Sequence, residues 1–225
     1  MVQDNDWLRT GRFSFRLGNN LCKLPYDKSL DKNMLYSSLL QNYPIDKYQL
    51  GNDFLGVTIG APSDRMAEIK SIGDWKEENG QLFTKSPAGY KFFLEKDDVL
   101  HIKQVALSTA NLETSLQFWK DILGMKVLSK DDKHALLTYE ETKQASLRLV
   151  STPNGEAVDH ATAFGRIAFA LPTPDLSPLE QKVKDSQLGT VKTPLVVLPT
   201  PGKADVQVII LEDPVSPLCL IRKAC

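Results

Sequence analysis

Residues 99–127, VLHIKQVALSTANLETSLQFWKDILGMKV, change periodicity halfway, and that change decides the fold. VLHIKQVALS reads as a strand. In TANLETSLQFWKDILG the residues Leu112, Leu116, Trp119 and Leu123 instead recur at the spacing of one apolar helix stripe. Asn111 stands where an N-cap side chain accepts an unpaired amide proton, and Gly124 where a helix stops in a left-handed residue. MKVLSKD, HALLTYEE and ASLRLVS follow as short strands divided by turns rich in Lys, Asp and Thr. The stretch and its continuation predict a βαβββ unit of about fifty residues.

Moving outward, the same order of signals returns. GRIAFALP at 165–172 is a strand, PDLSPLEQKVKDSQLG supplies a helix from near Asp175 to near Gly189, and TPLVVLPT, DVQVIILED and PLCLIRK complete the unit. An earlier copy runs from FLGVTIG at 54–60 through the helical SDRMAEIKSIG to QLFTKS and GYKFFLEK. One such unit is an open sheet with a single helix, too small to cover its own inner face, so units are expected to associate in pairs. The units from 99 and 165 form that pair in this reading. The expected organisation is an irregular arm at 1–41, an incomplete domain at 42–96 and a complete two-unit domain at 99–222.

Composition narrows the function. A chain of 225 residues, 42% hydrophobic and 24% charged, is a folded protein rather than a disordered one. With 27 Lys and Arg against 28 Asp and Glu, the net charge of -1 provides no field for a phosphate backbone or an anionic bilayer, so neither nucleic acid nor a membrane is an expected partner. Cys22, Cys219 and Cys225 have no CxxC spacing, which excludes a disulfide scaffold and a zinc-finger site, and Cys219 reads as a core residue. A cytoplasmic location is the expectation. Arg9, Arg12 and Arg16 leave mitochondrial targeting as the alternative, against which Asp4 and Asp6 argue. Phosphate loops of the GxGxxG and GxxxxGK[ST] types are absent from the sequence.

Several strings resemble the glyoxalase branch of the vicinal oxygen chelate superfamily: LGNDFLGVTIG at 50–60, SLQFWKDILGMKV at 115–127 and FGRIAFAL at 164–171. GYKFFL, VDHATAFGRIAF and TPGKADVQVIILEDP extend the resemblance over roughly 42–214. It implies an α+β fold of paired βαβββ units. It also implies a divalent metal that chelates two neighbouring substrate oxygens and stabilises an enediolate, as in isomerisation of the hemithioacetal of methylglyoxal and glutathione. Two departures stand out. Such proteins begin with a complete unit, of which only the tail around Gln41 to Gln49 is recognisable, so 1–41 looks like an alternative beginning. At the other end DPVSPLCLIRKAC replaces an acidic final strand.

The resemblance also locates the four ligand positions, which should carry His, Glu or Gln. They fall on Gln104, Arg148, Arg166 and Pro217; in the earlier copy they fall near Ser38 and on Gly56 and Phe93. Only Gln104 offers a donor, while a guanidinium repels a cation, so no metal site and no cofactor are expected. Zinc or nickel belongs only to the alternative, a glyoxalase I-type lyase; a protein-interaction scaffold is a third reading. Gln104, Arg148 and Arg166 are the cleft candidates for a small anionic molecule, bound by a monomer or homodimer. The competing reading pairs each arginine with an internal carboxylate such as Glu212, or turns it to the rim. Of His101, His134 and His160, the last is the most suggestive because Asp159 adjoins it, but a loop histidine bonding backbone explains it.

Overall fold

A computed structural model describes residues 13–17, 20–24, 49–78, 80–139, 145–163, 167–199, 205–215 and 218–223, by backbone alone at 13–17, 20–24, 168, 170 and 218–223. The described residues divide into two compact units, one holding 57–103 with the strands of 13–24, the other holding 49–56 and the residues from 104 on.

In the first unit, β1 (Phe13–Leu17) and β2 (Asn20–Leu24) are antiparallel, with Phe13 opposite Leu24 and Leu17 opposite Asn20. The sequence reading assigns this stretch no element. FSFRL does alternate between apolar and polar residues, however, which is a strand's pattern. The remainder of the expected 1–41 arm, and residues 42–48, lie outside the described residues. β3 (Phe54–Ala61), α1 (Ser63–Ser71), β4 (Lys76–Glu78), β5 (Gln81–Lys85) and β6 (Lys91–Lys96) follow in βαβββ order. β6 runs parallel to β3 and antiparallel to β5, which pairs with β4. Val57, Ile59, Phe92 and Leu94 are buried with Ile69 of α1. β4 has no counterpart in the sequence reading, because Lys-Glu-Glu is exposed at every position and carries no apolar alternation.

The second unit contains two βαβββ modules. β7 (His101–Thr109) leads to α2 (Leu112–Leu116), and the helix continues as a π-helical turn, Gln117–Ile122. The Asn111 side chain accepts from the Thr114 amide at 3.1 Å, and Gly124 stops the helix with φ +76°. β8 (Lys126–Lys130), β9 (His134–Thr138) and β10 (Ser146–Ser151) complete a sheet in the order β7-β10-β9-β8, with β10 parallel to β7. Its helix side is apolar: Val105, Leu107, Ala135, Leu137, Leu147 and Leu149 are buried, as are Leu112, Leu116, Trp119 and Leu123. Each buried Val or Leu side chain among them contributes about 1.5–3 kcal/mol by leaving water.

The second module comprises β11 (Ile167–Leu171), α3 (Thr173–Ser186), β12 (Thr190–Leu198), β13 (Val206–Glu212) and β14 (Leu218–Lys223), in the order β11-β14-β13-β12. The two sheets of this unit share no strand pair among the described residues; the modules meet instead through α2 and its π-turn. Trp119 lies 5.8 Å from Phe169 between ring centroids, and Lys182 of α3 donates to the carbonyls of Asp121 and Ile122 at 2.6 and 2.9 Å, satisfying the helix end. Behind them sits a carboxylate. Asp213 accepts from the Ser115 hydroxyl (3.0 Å), the Trp119 indole (2.7 Å) and the Val215 amide (2.9 Å). Burial pushes its carboxyl up to about 6, against the lowering by those three donors.

Candidate functional site

Pleating fixes which residues share a face. With Val105 and Leu107 turned toward the helix, Gln104 of β7 belongs to the opposite side of the sheet. Ser146 of β10 is paired with Gln104, so Arg148, two residues on, is its diagonal neighbour on that side. Arg148 is in turn opposite Leu136 of β9, and His134 is opposite Val150. Gln104, Arg148 and His134 therefore step diagonally across three strands.

They line one cleft of about 300 Å³ together with Ser129, Lys130, Asp131, Ala135 and Leu136. The structure thus brings Gln104 and Arg148 together. Arg166 lies outside the described residues, as do Ser38 and Pro217.

The charges in the cleft are unequally satisfied. Lys130 forms an ion pair with Glu113. The His134 ring nitrogen Nδ1 lies 3.1 and 3.2 Å from the two Asp131 oxygens. Asp131 also accepts from the Lys133 and His134 amides at 2.7 and 2.8 Å; these bonds and the histidine hold its carboxyl below the usual carboxylate range. Arg148 makes no ion pair among the described residues. Glu212, which one sequence reading offered as its partner, lies 3.6 Å from Lys192 instead.

Of the cleft's lining, Gln104, Asp131 and His134 carry donor atoms and Arg148 a positive charge, and no three His, Cys, Asp or Glu side chains gather at metal-holding distance among the described residues. Gly56 and Phe93 of the earlier copy likewise offer no donor atom.

Elsewhere in this unit, residues 49–53 are fastened to 157–162. The Asn52 amide donates to the Asp159 carbonyl at 2.9 Å, while the Asn52 side chain accepts from the Asp159 amide at 2.7 Å and donates to the Ala157 carbonyl at 3.1 Å. A Cβ on Gly51 would come within 1.7 Å of the Asp159 carbonyl oxygen, so no side chain fits there. His160 bonds the buried Asp53 side chain at 2.8 Å. Sequence reasoning missed Asp53 because 107 residues separate the partners. The only local signal was its place in the Leu-Gly-Asn-Asp turn before β3.

Comparison with known proteins agrees with this architecture. Residues 111–222 match the family model described as glyoxalase domain-containing protein 4-like, C-terminal domain. The chain is 40% identical to glyoxalase 1 of Caenorhabditis briggsae over 204 residues, covering 86% of this chain and 70% of that protein. It is also 40% identical to glyoxalase domain-containing protein 4 of Mus musculus over 213 residues, covering 86% and 68%. Among solved structures, glyoxalase I from Zea mays superposes with a TM-score of 0.62 at 25% identity, over 81% of this chain and 71% of that one.

Proposed function

This chain belongs to the glyoxalase domain-containing protein 4 family, with the glyoxalase fold, and from that premise we propose that it binds a small anionic molecule in the cleft of its β7–β10 sheet without using a metal. The observation that carries this reading is Arg148, a guanidinium in an open cleft beside Gln104 with no carboxylate partner among the described residues. A carboxylate or phosphate group accepts two parallel N–H bonds from such a fork, and the Gln104 amide and Ser129 hydroxyl add neutral contacts. Leu136 gives the ligand an apolar surface to cover.

The lyase reading is favoured by the name of the nematode relative, glyoxalase 1. It requires a metal with four donors, and of the four ligand positions that the resemblance implies only Gln104 carries one. The two readings separate in one set of measurements on the purified chain: metal content, turnover of methylglyoxal with glutathione, and thermal stability with sulfate or succinate. The binding reading expects stabilisation by the anions that is lost in Arg148→Leu, with no bound zinc or nickel. A stoichiometric zinc or nickel ion, removable by chelator with loss of stability, would overturn it in favour of the lyase.

A further inference from the structure

His134 was unremarkable in the sequence, yet the register of β9 turns it onto the cleft wall beside Arg148. Resting on the anion-binding reading above, we propose that His134, held by Asp131, is a second anion-contacting group, so that ligand binding draws a proton onto its imidazole.

The groups around the ring decide the sign. Asp131 in the turn before β9 occupies Nδ1 and is itself kept ionised by two backbone amides, so it orients the ring. From β8, Lys130 faces the same cleft, but its charge is engaged by Glu113. Lys133 precedes the histidine in the turn, and Arg148 is the facing cation on β10. In the free cleft these cations oppose a further positive charge; an anion seated on Arg148 removes that opposition and adds an attraction. The ring is then easier to protonate in the bound state than in the free state. By linkage, binding consumes protons and tightens as pH falls through the range in which histidines change charge. Asp131 cannot be the proton acceptor, since its bonds hold it below the usual carboxylate range.

The test is calorimetric titration of the full chain with succinate in two buffers of different ionisation enthalpy, repeated between about pH 8 and about pH 5.5. The expected result is a fractional proton uptake near neutrality. Affinity should rise about three- to tenfold toward the acid end, the size of one added charge-assisted hydrogen bond in an open site. His134→Gln should abolish the uptake and flatten the pH profile while leaving weaker binding and the ligand-free melting temperature intact. Asp131→Asn should move the midpoint of the profile to lower pH. Succinate binding that is independent of pH, or proton uptake that persists in His134→Gln, would overturn this inference and leave the anion reading standing. No succinate binding in the unmodified chain, with Arg148→Leu indistinguishable from it, would overturn both.

Discussion

The two faces of the sheet β7-β10-β9-β8 are made by the same strands and have opposite characters. Toward α2, Val105, Leu107, Ala135, Leu137, Leu147 and Leu149 are buried, with Leu137 and Leu149 fully enclosed. Toward the cleft, Gln104, His134 and Arg148 occupy the intervening positions and stay partly in water. A slip of one residue in any strand would exchange the two sets, so the apolar face holds the polar face in register. Stability is concentrated on one side, and the other side is left open to carry recognition.

The most forceful way to break that comparison is to empty the helix side. Leu149→Ala should cost about 2–5 kcal/mol, because the rigid packing under α2 cannot close over the lost methyl groups. Denaturant unfolding monitored by circular dichroism measures it, and a loss below about 1 kcal/mol would show that this face does not anchor the sheet.

A second test uses a buried carboxyl behind α2, Asp213. Its folded carboxyl sits at about 6 and its unfolded one near the ordinary 3.8, so the folded chain binds the extra proton between those values. Stability from this group is therefore greatest below the lower value and falls as pH rises to the upper one, by about 2–3 kcal/mol in all. Asp213→Asn should be less stable than the original chain at pH 4, because its amide cannot accept from every donor around it, and should lack this slope. If both proteins show the same dependence from pH 4 to 6.5, the carboxyl is not the source.

The smallest effect belongs to the cleft. Arg148→Leu should change unfolding free energy by no more than about 0.5 kcal/mol, since the side chain satisfies no buried partner. Its consequence should be confined to anion binding, read by the melting temperature with and without succinate. A large loss of ligand-free stability would mean that the two faces are not separable.

How much of this could be read from the chain alone follows the same division. The order of strands and helices in 99–151, the Asn111 cap, the Gly124 stop and the Leu112-Leu116-Trp119-Leu123 stripe were legible, because each is a short-range pattern with one physical cause. Phe118 was not. In a regular helix it would leave the stripe, but the wider π-turn lets adjacent Phe118 and Trp119 both face inward, each fully buried. The proximity of Gln104 and Arg148 was legible through their family positions, whereas the place of His134 depends on strand register, which no local window contains. The Asp53–His160 bond depends on a contact between distant segments and was likewise invisible.

The bond between Trp119 and Asp213 has an optical consequence. Trp119 is one of three tryptophans, with Trp7 and Trp75, and it is fully enclosed with its indole N–H aimed at an ionisable carboxylate. A charge appearing at that end of the ring changes the field along the indole dipole and hence its emission. The protein therefore carries an internal dye for the state of its own buried acid: fluorescence followed from pH 4 to 7 should trace the titration of Asp213, and should be flat over that range in Asp213→Asn.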